Sequence, residues 1–448
     1  MAQRITRRTL LKGGAVLAGA AWAYGVGQNA PGALDRVSPV VYAQGERPPI
    51  RMGFLPALTG TAAPSGRDML DGLTLYLSQH NSTIAGRPVQ LIVEDTGGNP
   101  TNTLTKTRKL IEGDRVHILI GPLLANEGYA IRDYVFERKV PTLLPVVSAD
   151  DLTQRKGSPY MIRTGWSSSL PSHPFGEYAY ATLKYRKIAM LGNDYAFPYE
   201  VNGGFQRTFE AHGGQIVQKL WAPLGTPDFS PYVTQFRRDV DAIYATTAGA
   251  DAIRFVHAYR QYGLKERIPL IGGGTLMDES LLRGMAPEDA VGVVTALHWS
   301  AGLRTPEARK FVSAYVAKYQ KDPSYYAETC YTGGHWIDVA ATRIGGKVED
   351  RDAFLQALRS LQLPDAPRGP VRLDAYQNPI ENVYVRKVER AGSGSTPPSE
   401  SFAAQSGGLL NSVIFTFHNV SQFWTFKAEE YLKQPVYDRN YPPCKFCG

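Results

Sequence analysis

Three cysteines in 448 residues exclude a small scaffold held together by disulfides. The motifs HExxH, GxxxxGKS/T and GxSxG are all missing from the sequence, and the eight histidines are scattered without the spacing of metal ligands. After the N-terminal region no apolar run is long enough to span a membrane. These absences leave little positive indication of catalysis, and they predict a protein without a metal or another cofactor.

The charge of the chain is mildly basic. Lys and Arg number 49 against 41 Asp and Glu, which gives a net charge of +8, and four of these eight charges fall within residues 1–43. A basic stripe interleaved with aromatic residues, as nucleic-acid-binding proteins carry, is missing. We therefore expect no nucleic-acid partner.

The N-terminus carries an export pattern. Residues 6–12 read Thr-Arg-Arg-Thr-Leu-Leu-Lys, which resembles a twin-arginine signal, and a short apolar stretch follows from Gly13 to about Val26. Val41-Tyr42-Ala43 places small residues at a plausible cleavage site. The sequence predicts a signal peptide over 1–43 and a periplasmic protein. An uncleaved signal anchor is the alternative.

The rest of the chain alternates strands and helices. Apolar strands recur at about 50–55, 89–93, 116–120 and 140–144, and the rhythm restarts at 187–191, 215–220, 242–246 and 269–271. Helical patterns separate them, so right-handed crossovers predict an α/β protein with two mainly parallel sheets flanked by helices. Helices follow at about 306–319, 326–344 and 350–360, and two further strands at 369–373 and 383–387.

The C-terminal part is more irregular. Residues 391–408 are rich in Ser, Gly and Pro and predict a flexible loop, and an aromatic segment over 413–424 predicts ordered structure. The tail holds Cys444 and Cys447 in Cys-Lys-Phe-Cys. A local disulfide or an inert pair is the first interpretation of this motif, and metal binding is the alternative because zinc needs further ligands.

Short motifs follow one another in a specific order along the chain: Leu58-Thr59-Gly60, Glu94-Asp95-Thr96 with Asn99-Pro100, Ile120-Gly121-Pro122, the segment 141–148, and Asp194-Tyr195-Ala196-Phe197. Their order resembles that of the periplasmic solute-binding proteins of ABC importers, of the branched-chain (leucine/isoleucine/valine) amino acid-binding family. The resemblance covers about residues 48–390.

This resemblance implies a type I periplasmic-binding-protein fold with two lobes and three hinge crossings, near Gly165, Leu297 and Gly369. The first lobe would comprise 46–165 plus 298–369. The second lobe would comprise 166–297 plus 370–425. Residues 426–448 would form a C-terminal extension, and the resemblance does not explain the chain after about residue 391.

The resemblance also implies a ligand site in the cleft. In the family, backbone amides and hydroxyls hold the ligand's carboxylate, and the matching positions here are Ala125, Asn126, Val146 and Ser148. Helix N-termini favour such an anion. The interpretation of Ser148 as a helix N-cap stays open beside this one. The remaining candidate ligand-binding residues are Ser65, Tyr195, Phe197, Ala248, Gly274, Thr275 and Trp299.

The sequence departs from the pattern of amino acid binders. Gly274 stands where those proteins place a carboxylate for the ligand's ammonium group, and Asp278 fits better as a helix cap. Because a buried ammonium without a partner is costly, we expect a ligand other than a free α-amino acid. A carboxylate with an apolar or aromatic body is the first hypothesis, and an amide or urea derivative is the second. Core packing is the alternative role of Trp299.

The predicted function is delivery of a small organic solute to an ABC importer by cleft closure, without catalysis. The partners would be the solute and the permease subunits in the membrane, and the chain would act as a monomer. Two other functions remain open at this point. One is a ligand-sensing module for a receptor or regulator, and the other is a secreted hydrolase with an activated nucleophile.

Overall fold

The computed structural model describes residues 47–391 and 399–447. The signal peptide predicted for 1–43 lies outside these ranges. Within them, no helix combines the length and the apolar character needed to cross a membrane.

The first sheet is built from residues 50–163. Its strand order is β2-β3-β1-β4-β5-β6, and all neighbours except the β2–β3 pair run parallel. The strands are β1 (Ile50–Phe54), β2 (Thr83–Ile84), β3 (Arg87–Val93), β4 (Ile118–Ile120), β5 (Thr142–Leu144) and β6 (Met161–Arg163). The helices between them are α1 (Ala63–Gln79), α2 (Pro100–Arg108) and α3 (Ala125–Arg138). Asn99 starts α2 because its Oδ1 accepts the Asn102 N–H at 3.0 Å.

The next part of the chain forms a second unit of the same kind. Its parallel strands are β7 (Lys187–Asn193), β8 (Gln215–Ala222), β9 (Ala242–Thr246), β10 (Leu270–Gly273) and β11 (Val294–Leu297). Its helices are α4 (Ser172–Ala181), α5 (Ala196–Ala211), α6 (Ser230–Gln235), α7 (Ala250–Gln261), α8 (Glu279–Leu282) and α9 (Pro287–Ala290).

Three helices then return to the first sheet. They are α10 (Pro306–Tyr319), α11 (Tyr325–Arg343) and α12 (Arg351–Arg359). A Cβ on Gly72 would lie 2.0 Å from the Ala327 carbonyl oxygen, so only glycine lets α1 and α11 pack this closely. We call the β1–β6 sheet with α1–α3 and α10–α12 the first lobe.

The last strands join the second sheet. They are β12 (Gln362–Leu363), β13 (Val371–Leu373), β14 (Pro379–Arg390) and β15 (Leu409–Val420), and two short helices, α13 (Phe402–Ser406) and α14 (Ala428–Leu432), complete the fold. The order is β12-β13-β14-β11-β10-β9-β7-β8, with β15 antiparallel to β14. We call this sheet with α4–α9 the second lobe. The prediction of a two-lobed α/β fold is confirmed.

Two details of the predicted organisation differ from the structure. β12 pairs with β13, so residues 362–363 belong to the second sheet although the predicted range 298–369 gave them to the first lobe. Part of the predicted flexible loop 391–408 is α13, because Asp322 accepts the backbone N–H groups of Phe402 and Ala403 at 2.7 and 2.8 Å. The hinge positions near Gly165, Leu297 and Gly369 stay predictions.

The C-terminal extension lies against both lobes. Arg155, which follows β5, donates to the carbonyl oxygens of Tyr431 and Gln434 at 3.1 and 2.7 Å. Gln206 on α5 donates to the Pro443 carbonyl oxygen at 2.9 Å. The two cysteines of the Cys-Lys-Phe-Cys motif form a disulfide, and no group of metal-ligating side chains occurs in the described ranges.

One buried guanidinium joins the segments that connect the lobes. Arg368 donates to Glu328 on α11 at 2.9 Å and to Glu381 on β14 at 2.8 Å. It also donates to the carbonyl oxygen of Thr164, directly after β6. All three charged side chains have no solvent exposure, so the pairing is obligatory: a carboxylate left alone here is strongly destabilising.

Arg368→Met tests this arrangement. The change removes the cation and leaves Glu328 and Glu381 buried, so we expect the free energy of unfolding to fall by about 3–5 kcal/mol in urea denaturation. The control is Arg237→Met, which breaks an exposed pair with Asp239 and should leave stability unchanged. Equal stability of the two variants would contradict the structural role of Arg368.

Candidate functional site

Loops from the carboxyl ends of both sheets line one cavity. Ligands of α/β proteins bind in such crevices, outside the carboxyl ends of the strands. Strands β1, β4 and β5 of the first lobe and β7, β9 and β10 of the second lead into it. The lining residues are Ala62, Ser65, Leu123, Leu124, Ala125, Val146, Ser148, Tyr195, Phe197, Ala248, Gly249, Thr275, Tyr325 and Tyr326.

Helix N-termini surround this cavity. In the described part of the chain, five helices begin within its lining: α1, α3 and α11 from the first lobe, and α5 and α7 from the second. The first turn of a helix presents N–H groups without helical acceptors and the positive end of the helix dipole. The cavity is therefore a place where negative charge is stabilised.

The side chains that line the cavity add no negative charge that would oppose the positive potential of the helix N-termini. Apart from the phenol groups of three tyrosines, none of the residues that line the cavity is ionisable. Burial raises the pKa of Tyr195, Tyr325 and Tyr326, so these hydroxyls stay neutral donors and acceptors. The helix N-termini are thus the source of positive potential within the lining itself.

Eight of the eleven predicted ligand-binding residues lie together in this lining: Ser65, Ala125, Val146, Ser148, Tyr195, Phe197, Ala248 and Thr275. Ser148 is held by Ser168, since its Oγ accepts from Ser168 Oγ at 3.0 Å and its carbonyl oxygen accepts the Ser168 N–H at 2.8 Å. It is not a helix N-cap, because Ala149 takes that position without a side-chain bond.

Three predicted residues lie elsewhere. Trp299 is fully buried against Phe311, and its Nε1 donates to the Pro323 carbonyl oxygen at 3.0 Å. Gly274 packs on β11, where a Cβ would come within 2.6 Å of Leu297. Asn126 accepts the Glu127 N–H with its own side chain. These three residues are not part of the cavity lining, and their role in ligand binding stays a prediction.

Six lining residues were not predicted: Ala62, Leu123, Leu124, Gly249, Tyr325 and Tyr326. Ala62, Leu123 and Leu124 precede helices, so the predicted start of each helix could have identified them as lining residues. Tyr325 and Tyr326 open α11, whose Ser324 cap accepts the Ala327 N–H. That cap marks the helix start, but no sequence feature shows that it reaches the cleft.

Asp278 does not supply the missing charge for an ammonium group. It is buried, and its Oδ1 accepts the N–H of Ser280 at 2.9 Å as the N-cap of α8. Its Oδ2 accepts the N–H of Tyr325 at 3.3 Å. The interpretation of Asp278 as a cap is confirmed.

The two lobes touch on both sides of the cavity. A Cβ on Gly249 of the second lobe would lie 2.5 Å from the Thr61 carbonyl oxygen of the first, and Gly249 has a φ of +56°. Arg283 after α8 pairs with the buried Asp68 of α1 at 3.0 Å. In this structure both lobes therefore form the cavity and touch each other beside it.

Comparison with known proteins identifies the family. A family model described as periplasmic binding protein matches residues 49–394. The chain belongs to the periplasmic binding protein family. The resemblance drawn from the sequence motifs is confirmed, and the family and the fold are those of binding proteins.

Relatives of this periplasmic binding protein include transport proteins from several bacteria. The ABC transporter substrate-binding protein from Sphaerobacter thermophilus is 35% identical with a TM-score of 0.76, covering 84% of this chain and 99% of that one. A solute-binding protein from Rhodopseudomonas palustris BisB5, solved with 3,4-dihydroxybenzoic acid, is 29% identical with a TM-score of 0.76, covering 83% and 98%. The Leu/Ile/Val-binding protein homolog 6 of Brucella melitensis is 26% identical over 77% of this chain and 89% of its own length.

The role of Trp299 in this binding protein can be tested with Trp299→Phe. The change leaves the Pro323 carbonyl without its donor, so we expect the free energy of unfolding to fall by about 1–3 kcal/mol in urea denaturation. The thermal shift caused by a bound ligand should equal that of the wild type. Loss of the ligand-induced thermal shift with unchanged stability would instead indicate that Trp299 takes part in ligand binding.

Proposed function

We propose that this chain is the solute-binding subunit of an ABC importer and that its solute is a small organic carboxylate with an apolar or aromatic body. Its closed cleft would present this solute to membrane permease subunits from the periplasm. The chain would act as a monomer and catalyse no reaction. The observation that carries the proposal is the convergence of five helix N-termini on a cavity whose lining has no acidic or basic side chain.

The helix N-termini at the cavity are the reason for proposing a carboxylate on the ligand. An anion in the cavity accepts N–H groups at the helix starts, where backbone donors such as those of Ala125 and Asn126 lie in the first turn of α3. Its negative charge is stabilised by the helix dipoles without an arginine or lysine. Ser148 and Ser65 add hydroxyl donors to the same lining.

The apolar residues of the lining are the reason for proposing a ligand with an apolar or aromatic body. Leu123, Leu124, Val146 and Phe197 supply aliphatic and aromatic surface, and Ala248 leaves room where a larger side chain would narrow the cavity. A zwitterionic amino acid is disfavoured, because its ammonium group would lie in a positive field without a carboxylate partner. The bound 3,4-dihydroxybenzoic acid of the 29% identical relative supports an aromatic acid here.

Differential scanning fluorimetry with a ligand panel tests the proposed class. Benzoate and 3,4-dihydroxybenzoate should raise the melting temperature, since a ligand at 100 times its Kd stabilises the folded state by about 2.7 kcal/mol. Benzamide keeps the ring and removes the charge, so it is the matched control and should have no effect. Stabilisation by leucine or valine, or by benzamide alone, would contradict the carboxylate proposal.

Gly249→Ala tests closure around the ligand. The added Cβ would push against the Thr61 carbonyl oxygen in the closed form, at a cost of about 1–3 kcal/mol. We expect ligand affinity by calorimetry to fall roughly 5- to 150-fold.

The matched control for this variant is Gly263→Ala. Gly263 also has a positive φ, +66°, but a Cβ there would have open space around it. Both variants place a Cβ at a position with positive φ, and only Gly249→Ala also obstructs contact between the lobes. Equal affinities of the two variants would contradict the role of this contact in binding.

A further inference from the structure

A glutamate of the second lobe is buried against the first lobe just behind the cavity. Glu200 on α5 is 1% exposed. Its Oε1 accepts from the Tyr129 hydroxyl of α3 at 3.1 Å, and its Oε2 accepts the Asp150 backbone N–H at 3.1 Å. One carboxyl group therefore bonds to two separate segments of the opposite lobe.

These bonds lie close to the cavity lining along the chain. Glu200 is three residues after Phe197, Asp150 is two residues after Ser148, and Tyr129 lies on the helix that begins at Ala125. The carboxyl of Glu200 thus fixes the distance between the helix α5 and the two first-lobe segments that surround a ligand.

A second acid lies beside Glu200. Asp150 is 2% exposed, and its Oδ1 accepts the Ser169 N–H at 3.1 Å, while its Oδ2 has no hydrogen-bond partner in the described part of the chain. Burial raises the pKa of Glu200 well above its ordinary value, with the neighbouring charge of Asp150 adding to it. Burial likewise raises the pKa of Asp150.

The surrounding charges are too few to balance two carboxylates. The nearby guanidinium of Arg163 is buried and donates to Thr153, Asn378 and the Ala149 carbonyl oxygen, not to an acid. The charged or titratable groups facing the pair from the other packed elements are Asp151 paired with Arg155, Asp374, and the phenols of Tyr195, Tyr431 and Tyr437. Arg163 offsets one negative charge, and the second remains without a counter-charge.

We propose that Glu200 is a positioning residue for cleft closure and that the Glu200–Asp150 pair holds one proton in the closed form, so that closing the cleft takes up a proton. This inference rests on the proposed closure around a ligand. In the open form water reaches the carboxyl of Glu200, and its pKa returns toward the ordinary value of about 4.3. Between that value and the raised one, the closed form binds one more proton than the open form.

The direction of the effect follows from this difference. A fall in pH within the window favours the state that binds more protons, which is the closed, ligand-holding state. Ligand affinity should rise by up to about tenfold for each unit that the pH is lowered. Below the ordinary carboxyl pKa both forms are protonated, and the dependence ends.

The experiment is isothermal titration of the full chain with 3,4-dihydroxybenzoate between pH 5.5 and 7.5, in two buffers of different ionisation enthalpy. The carboxyl of this probe is ionised throughout the range. The wild type should take up a proton on binding and bind more tightly at lower pH. Glu200→Gln keeps an acceptor that needs no proton, so its affinity should not change with pH.

The matched control is Glu210→Gln. Glu210 lies on the same helix and contacts Gln206 and Lys445, away from the first lobe. This variant should keep the wild-type dependence of affinity on pH. The same slope for the wild type and Glu200→Gln, or loss of the slope in Glu210→Gln, would overturn the role of Glu200.

A second measurement separates this inference from the proposed ligand class. If neither 3,4-dihydroxybenzoate nor leucine binds, the ligand proposal fails, and small-angle X-ray scattering of the ligand-free protein decides about Glu200. Because the closed form binds one more proton, lowering the pH from 7.5 to 5.5 should shift the wild type toward the more compact closed form, and Glu200→Gln should show no such shift. The same change in radius of gyration for both proteins, or no change in the wild type, would overturn the inference.

Discussion

The parallel direction of the strands is the constraint on which the site depends. Because each helix follows a strand that runs in the same direction as its parallel neighbours, successive helices begin at the carboxyl edge of their sheet. The two sheets of this protein point those edges at one cavity, and α11 returns from further along the chain to add another N-terminus. Positive potential there comes from the helix N-termini, which is why the proposed anion would need no lysine or arginine in the lining.

Closure of the cleft depends on contacts between the lobes as well as on the helix N-termini at the cavity. Arg368 holds the connecting segments together through buried acids of both lobes, and the contacts of Gly249 with Thr61 and of Arg283 with Asp68 are made across the cleft. A ligand shifts the balance between open and closed forms only by the contacts that it gains in the closed one. In our proposal, the buried Glu200 couples closure of the cleft to the uptake of one proton.

The sequence predicted the parts of the site that follow directly from a strand. Ser148 and Phe197 were predictable because each comes just after a regular apolar strand, whose end locates the edge of the sheet. Tyr325 was not predicted as a lining residue, because α11 follows another helix and not a strand. Trp299 stands beside a crossing, but only the packed structure shows its indole turned to Phe311. The Ser- and Gly-rich composition before β15 predicted a loop, and hydrogen bonds to Asp322, distant in sequence, made part of it a helix.

We propose that the cavity selects an organic anion without an amino group. Native mass spectrometry of the protein purified under non-denaturing conditions, followed by identification of the released small molecule, is the decisive measurement. We expect a carboxylic acid with an apolar or aromatic body and no ammonium group. Release of leucine, isoleucine or valine would contradict it.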